Sequence, residues 1–405
     1  MRLEAQSAAR VMNKRPLTLA LGGLLAMAAG IGIGRFVYTP ILPPMVEALS
    51  LTKAEAGLIA SANFIGYLAG ALLAAVRLPG SRHTWLLGSL AVNAICLAAM
   101  GAVTALSLFL LLRLVAGIAS AFVLIFSSAL VLDRLASAGR SGLSAVHFAG
   151  VGSGIALSAA LVATLADWRT MWLASAVLAL VAAVAVAAMV PADHPGSRIV
   201  ARPPRTRLSA AFVALAAAYF LFGFGYIITA TFIVDIVRGS PAIRPLEPYV
   251  WVLVGLSAAP SVVLWGALGR RFGILRAFAV ASLVEAAGVA ASVLWLEALG
   301  IVVAALFLGG TFMGLTALGL MGARETGEGD PRGRIALMTA SFSVGQILGP
   351  TFAGFAYDAT GSLAMPSLVA VAALVLAAGL AVAADIQRRG ANTASASRAA
   401  RRPEA

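Results

Sequence analysis

The chain has 405 residues, of which 61% are hydrophobic and 11% charged, and its formal net charge is +13. This composition excludes an ordinary soluble globular domain, in which about 25% of residues are charged. The basic charge by itself suggests nucleic-acid binding, but no basic patch is interleaved with the aromatic residues that nucleic-acid recognition uses, so no nucleic-acid partner is expected.

Apolar runs follow one another along almost the whole chain. Each is about 18 to 27 residues long, enough to cross a bilayer core of roughly 30 Å as a helix. Because hydrocarbon offers no hydrogen-bond partners to the backbone, each run must be helical. The sequence therefore predicts an all-α membrane protein with twelve transmembrane helices, at 17–43, 55–76, 84–104, 107–131, 142–165, 168–190, 209–236, 249–269, 275–296, 300–321, 335–357 and 363–384.

The basic residues between these runs are distributed unevenly. With the N-terminus placed in the cytoplasm, the loops on the outside hold only Lys53, Arg169, Arg238 and Arg244, and most of the 29 Lys and Arg residues lie on the cytoplasmic side. Cytoplasmic loops of membrane proteins carry such an excess of Lys and Arg. We therefore expect a multi-pass protein of the cell inner membrane with both termini in the cytoplasm.

The twelve predicted helices divide into two groups of six. Residues 1–190 are predicted to form one six-helix bundle and 209–384 a second, separated by a proline- and arginine-rich cytoplasmic linker at 191–208. The tail at 385–405 is rich in Ala, Ser and Arg, and we expect it to be disordered. Glycine-rich stripes in helices 5 and 11, together with GIGR at 32–35 and GFGY at 223–226, suggest duplication of a six-helix unit. Paired repeats with a binding site between them are typical of transporters.

Two short segments, GALGRRFG at 266–273 and RLVAGIASA at 113–121, resemble motifs of the major facilitator superfamily. GALGRRFG, at 266–273, is similar to the family loop G-x-L-x-D-R-x-G, with Arg271 matching and Arg270 in place of the Asp. RLVAGIASA, at 113–121, fits the family pattern of helix 4. GIGRFVYTPILPPM at 32–45 and ASANFIGYLAGAL at 60–72 resemble the YbfB/YjiJ-like branch.

The resemblance implies two pseudo-symmetric six-helix bundles and a transport function. It also implies a cytoplasmic gate in which Asp133 pairs with a loop arginine, Arg77 or Arg82, and in which Arg270 and Arg271 take part. An ordinary solvated helix end is the alternative for Asp133, since surface ion pairs are worth only about 0–1 kcal/mol.

Arg35 is the sharpest individual signal for a binding site. It lies roughly 7 Å from the midpoint of helix 1, at 1.5 Å per residue. A charge at that depth should face a wet cavity or a partner. Tyr38 and Thr39 share its helix face. The alternative is that Arg35 bonds to the carbonyls of a helix broken near Pro40 and Pro43.

Other polar residues lie at similar depth. Arg113 is about 9 Å from the midpoint of helix 4, at 1.5 Å per residue, so both arginines lie at comparable depth. Asn63, Tyr226 and Gln346 complete the candidate substrate-binding residues. Each of them could instead hold helices together.

Two titratable groups are candidates for coupling transport to protons. Glu285 lies in the middle of helix 9, where an apolar environment favours the neutral, proton-carrying form of a carboxyl group. His147, in helix 5, titrates in a useful range. Structural roles remain open for both, because helix 9 is usually peripheral in the resembled fold and His147 lies beside glycines.

These observations favour a secondary active transporter for a small anionic organic solute. Because the predicted membrane spans hold two arginines and few acids, we expect the solute to be negatively charged. Its transport could also be coupled to protons. A polytopic membrane enzyme or a transporter-like sensor without flux are the alternatives, although no clustered catalytic set is found and we expect no enzyme activity. No cofactor or metal is expected, and the solute, the lipid bilayer and protons are the expected partners of a monomer.

Overall fold

The computed structural model describes residues 16–76, 78–192, 208–327 and 332–400. Within these ranges, twelve helices are long and apolar enough to cross a membrane, which confirms the predicted all-helical membrane fold. Their bounds are α1 Pro16–Leu49, α2 Lys53–Ala74, α3 Arg82–Met100, α4 Leu106–Ser137, α5 Ser144–Val162, α6 Trp168–Met189, α7 Ala210–Gly239, α8 Glu247–Phe272, α9 Ile274–Leu294, α10 Ala298–Glu325, α11 Arg332–Thr360 and α12 Ala364–Ala400.

Several helices are longer than predicted, because a helix can continue beyond the apolar core of the membrane. The largest difference is in α12, which continues to Ala400, so the prediction of disorder is wrong for residues 385–400. Asp385 lies where the extension begins, with Arg388 3.1 Å and Arg389 2.9 Å from its carboxylate. Such i,i+3 and i,i+4 ion pairs support a helix. Residues 401–405 and most of the predicted linker lie outside the described residues.

The two halves of the chain pack in equivalent ways. In the first half, Gly150 and Gly154 of α5 lie against the backbone of α1, and in the second half Gly345 lies against the backbone of α7. A Cβ at any of these positions would collide with a backbone carbonyl oxygen. The predicted glycine stripes therefore hold α5 on α1 and α11 on α7, as expected of a duplicated unit.

The halves meet mainly through α2 with α11 and α5 with α8. We call the membrane side that carries the loops α2–α3, α4–α5 and α8–α9 the basic face, and the side that carries α1–α2, α7–α8 and α11–α12 the opposite face. The two faces differ in how the halves contact each other there.

Ion pairs and a helix cap join the halves at the opposite face. Lys53 Nζ lies 2.6 Å from Asp235, and Arg238 lies 2.9 Å from Glu47. The Asp358 carboxylate accepts the backbone N–H groups of Lys53 and Ala54 at 3.1 and 3.0 Å. We call Lys53, Asp235 and Asp358 the opposite-face gate. The ion pairs found at the basic face lie within one half, for the residues that the structure describes.

Candidate functional site

The middle of α1 is not a regular α-helix. Residues Ala28–Ile33 are π-helical, and the Gly34 N–H donates to the Ala29 carbonyl at 3.0 Å, five residues back. Pro40 brings no N–H for the turn that follows. Segments of this kind leave backbone carbonyls without helical partners, which is tolerated in a membrane only where other groups satisfy them.

Arg113 of α4 satisfies two of these carbonyls. Its guanidinium donates to the Gly34 carbonyl at 3.3 Å and to the Arg35 carbonyl at 3.1 Å. The guanidinium also lies over the Tyr38 ring, 5.0 Å from its centroid. The Gly30 carbonyl accepts from Ser120 and Asn93, and the Phe36 carbonyl accepts from Trp251. These contacts fix the backbone on which Arg35 stands.

Arg35 itself has quite different surroundings. Its guanidinium carbon lies 4.4 Å from the centroid of the Phe64 ring and 4.5 Å from that of Tyr67. It makes one side-chain hydrogen bond, to Gln346 Oε1 at 2.8 Å. No carboxylate lies within ion-pair distance among the described residues. The Arg35 side chain thus reaches from the first half to Gln346 in the second half. Two aromatic faces and one amide oxygen offset its positive charge.

The hydrogen bonds that begin at Arg35 have a fixed direction. An arginine only donates, so Gln346 must present its oxygen to Arg35 and its Nε2 to the neighbour on the other side. That neighbour is Tyr226, whose hydroxyl oxygen accepts from Gln346. The Tyr226 O–H proton has no acceptor among the described residues. Tyr67 likewise makes no hydrogen bond with another described residue.

These groups lie at the inner end of a cavity of about 170 Å³ between the two halves. The cavity extends from Arg35 and Gln346 toward the basic face, and its walls are otherwise mainly apolar. The remaining lining residues include Met27, Ile31, Phe36, Tyr67, Leu124, Phe148, Val151, Tyr226, Val262, Phe312, Met313, Leu320 and Phe342. The ring planes of Phe312 and Phe342 lie within 6° and 2° of that of Tyr226, with centroids 5.8 and 5.9 Å away. The structure thus combines a flat aromatic wall with one polar end.

The structure brings three of the predicted binding residues to the cavity, namely Arg35, Tyr226 and Gln346. The side chains of the other four donate to backbone carbonyls elsewhere. Tyr38 donates to Ala56, Thr39 to Ala230, Asn63 to Arg113, and Arg113 to Gly34 and Arg35.

The two coupling candidates are both fully buried. His147 lies 3.2 Å from the Ser128 hydroxyl and packs against Phe148, and it does not line the cavity. Both carboxyl oxygens of Glu285 lack a hydrogen-bond partner among the described residues. Glu285 lies behind the cavity wall, close enough to Tyr226 for its charge to act on the hydroxyl.

The gating candidates lie at the basic face. Asp133 is 3.7 Å from Arg82, and its side chain is 75% exposed. Arg77, the other predicted partner, lies outside the described residues. Arg270 and Arg271 are exposed at the end of α8, and neither forms an ion pair with another described residue.

Several functional candidates were missed by the sequence analysis. Phe64 and Tyr67 are three residues apart and therefore share a helix face, which could have marked them. The stacking of Phe312 and Phe342 on Tyr226 depends on which helices are neighbours, which the sequence does not reveal. No group of three or more metal-ligating side chains occurs in the described part of the chain.

Comparisons with known proteins agree with this architecture. A nucleoside transporter NupG variant is 14% identical, with a TM-score of 0.71, and the match covers 92% of this chain and 99% of that one. A bacterial homologue of the human lysosomal transporter Spinster, in an inward-facing and unoccupied conformation, is 16% identical, with a TM-score of 0.67 and coverage of 93% and 97%. Such low identities establish the fold alone. No curated protein matches the chain.

A family match completes the identification. Residues 27–382 match the family described as "Uncharacterised MFS-type transporter YbfB". This range includes the irregular segment of α1, the cavity residues and the opposite-face gate, and it confirms the resemblance found in the sequence. The chain is a multi-pass membrane protein that belongs to the YbfB family of major facilitator superfamily transporters.

Proposed function

We propose that this protein moves a small organic anion across the cell inner membrane by alternating access, with a proton as the coupling ion. The observation that carries the proposal is the direction of the hydrogen bonds at the end of the cavity. Arg35 is donor-only, and its bond to Gln346 leaves the Tyr226 O–H as the next free donor. A solute that binds there must supply acceptors.

The charge of the cavity supports the same conclusion. Among the described residues that line the cavity, Arg35 is charged and none is acidic. A buried cation without an anionic partner is costly in a membrane. Aromatic faces offset part of that cost, by about 2 kcal/mol or more when desolvated. An anionic group next to Arg35 would complete the balance, whereas a cationic solute would meet repulsion.

The walls of the cavity restrict the rest of the solute. Its volume of about 170 Å³ is below the range of roughly 300–1,000 Å³ usual for drug-sized ligands. Phe312, Met313 and Phe342 offer no hydrogen bonds beyond the Arg35 end. A single anionic group on a compact apolar or aromatic body therefore fits best, and a sugar-like polyol fits worst.

The opposite-face gate supports alternating access. The Lys53–Asp235 pair and the Asp358 cap both connect the two halves, so separating the halves at that face must break them. The cavity meanwhile extends toward the basic face. If the basic face is cytoplasmic, as the positive-inside distribution favours, this arrangement is the inward-facing one.

Transport of a permanently charged probe tests the proposal. Proteoliposomes containing the protein should take up benzenesulfonate, which stays ionised and crosses lipid slowly, and should ignore the similarly sized neutral benzamide. Arg35→Met should abolish uptake, while Arg169→Gln, which removes a cation from the opposite face, should keep it. Each variant is first checked for a monodisperse elution profile.

Four outcomes would contradict the proposal. Equal uptake of benzenesulfonate by Arg35→Met would remove Arg35 from recognition. Uptake of uridine instead of any anion would favour the class of solute named for NupG. Conversion of benzenesulfonate to a product would favour a membrane enzyme, and binding without flux would favour a sensor.

A further inference from the structure

Glu285 is a buried acid that does not line the cavity. It lies in the middle of α9 with no exposed surface, and neither carboxyl oxygen has a hydrogen-bond partner among the described residues. A buried ionised carboxylate without partners is among the most expensive groups that a membrane protein can hold. Glu285 is therefore a neutral acid in this conformation.

We propose that Glu285 is the proton-binding site of this transporter, and that proton binding there is linked to anion binding at Arg35 through Tyr226. The inference rests on the proposed function and deepens it, because it places the coupling proton on one residue behind the cavity wall. It also states the direction of coupling: proton and anion bind together.

The groups that face Glu285 come from the helices packed on α9. Thr311 of α10 approaches the carboxyl, but its hydroxyl donates to the carbonyls of its own helix, at Phe307 and Leu308. Tyr226 of α7 lies within electrostatic range of Glu285. Among the described residues, no side chain of α8 or α12 forms a hydrogen bond or an ion pair with Glu285. Nothing besides a proton is therefore positioned to neutralise Glu285.

Tyr226 connects this acid to the cavity. Phe312 follows Thr311 along α10 and stacks on the Tyr226 ring at 5.8 Å. The Tyr226 hydroxyl is within range of the charges of both Arg35 and Glu285. Its oxygen accepts from Gln346, which leaves its single proton to be donated to one further acceptor.

Two negative charges would compete for the positive field of Arg35, namely that of an ionised Glu285 and that of a bound anion. If Glu285 is ionised, its negative charge attracts the Tyr226 O–H and disfavours a second anion in the cavity. If Glu285 is protonated, the O–H and the field of Arg35 are both available to the solute. Thermodynamic linkage is reciprocal, so a bound anion must also favour protonation of Glu285. One proton with one monoanion makes the transported pair electroneutral.

Proton uptake by the purified protein tests this inference directly. Benzenesulfonate is added to detergent-solubilised wild-type protein in weak buffer with a pH-indicator dye. Since the probe itself does not titrate between pH 5 and 8, any proton taken up belongs to the protein. We expect up to one proton per bound anion, and an affinity that weakens by up to about tenfold per pH unit as pH rises, the limit for one linked proton.

Variants locate the linked proton. Glu285→Gln should bind benzenesulfonate as tightly as wild-type protein does at low pH, with no proton uptake and a flat pH profile. Glu297→Gln, which removes an exposed acid from the loop after α9, should behave like wild type. Should Glu285→Gln fail to fold, Tyr226→Phe keeps the ring stack and is expected to lower the proton uptake per bound anion.

The outcomes separate the two proposals. Benzenesulfonate binding that depends on Arg35 but takes up no proton would overturn the role of Glu285 and the proton coupling, and would leave the proposed recognition of an anion at Arg35 intact. Unchanged linkage in Glu285→Gln, or unchanged uptake in Tyr226→Phe where Glu285→Gln does not fold, would also overturn it. If neither benzenesulfonate nor benzoate binds wild-type protein, the proposed function fails, and this inference fails with it.

Discussion

Arg35 stands on the broken helix α1 and Arg113 reaches the same helix from α4, yet the surroundings of the two guanidinium groups differ in kind. Arg113 donates to two backbone carbonyls, those of Gly34 and Arg35. Arg35 donates to one side-chain amide and lies between two aromatic rings. Only Arg35 lines the cavity.

The difference shows that depth alone does not identify a binding residue. An intramembrane arginine whose two terminal nitrogens both donate to fixed backbone oxygens stabilises the backbone and has few donors left for a solute. An arginine held by ring faces keeps most of its N–H donors available at the edge of the guanidinium. The two roles depend on each other, because Arg113 holds the turn that presents Arg35.

The largest effect is expected from removing Arg113. Arg113→Ala leaves the Gly34 and Arg35 carbonyls without donors in an apolar environment, at about 1–3 kcal/mol for each unsatisfied group. We expect a marked fall in the thermal unfolding midpoint in detergent. Arg35→Ala is the matched control and should lower the midpoint much less. Equal losses in both variants would erase the distinction between the two arginines.

The next effect concerns the shape of the charge at Arg35. Arg35→Lys keeps the positive charge but replaces a planar fork by a point charge. Benzenesulfonate binding, measured by titration calorimetry, should weaken by roughly 1.5–3 kcal/mol, the worth of a charged hydrogen bond. Arg169→Lys controls for the general effect of the exchange. Unaltered affinity in Arg35→Lys would show that the solute recognises charge without directional hydrogen bonds.

The sequence predicted a continuous first helix and offered a break near Pro40 and Pro43 only as the alternative for Arg35, whereas the structure has a π-helical segment at Ala28–Ile33. Hydropathy places Arg35 and Arg113 at similar depth. The direction in which the Arg113 side chain points depends on how α4 is rotated about its axis within the bundle. Depth does not determine this rotation, and the structure gives Arg113 two backbone carbonyls as partners while Arg35 lines the cavity.

Glu285 and the end of α12 illustrate two further limits. The sequence shows that Glu285 is deep, but only the packing of α9 on α7 and α10 brings it near Tyr226. The segment 385–400 has the composition of a disordered tail, yet it continues a long apolar helix. Adding residues to the end of an existing helix avoids the free-energy cost of nucleation. A prediction from amino-acid composition alone does not take this into account.

A smaller effect is expected at the opposite-face gate. Asp358→Asn removes the negative charge that caps the N-terminus of α2, worth about 0.3–1 kcal/mol. The halves should then separate more often at that face. A cysteine at Thr39, in a Cys96→Ala background, should react about two- to fivefold faster with an impermeant thiol reagent applied from that side, which is the same free energy expressed as a rate.

Asp167→Asn is the matched control for this measurement. Asp167 caps α6 at the same face, where it accepts the Thr170 N–H at 3.0 Å, but this contact lies within one half. It should therefore leave the labelling rate unchanged. Equal acceleration in both variants would mean that the Asp358 cap does not hold the halves together.

The smallest effect is expected at Asp133, where the family resemblance predicts a gate. The pair with Arg82 is long, at 3.7 Å, and Asp133 is 75% exposed, so solvent screens most of its attraction and the pair is worth about 0–1 kcal/mol. Both residues also belong to the first half, so breaking the pair does not separate the halves.

Asp133→Asn should leave benzenesulfonate uptake within about twofold of wild type, since about 0.4 kcal/mol corresponds to twofold. Asp235→Asn, which breaks the buried pair with Lys53 across the halves, should change uptake more. A loss in Asp133→Asn larger than in Asp235→Asn would move the principal gate to the basic face.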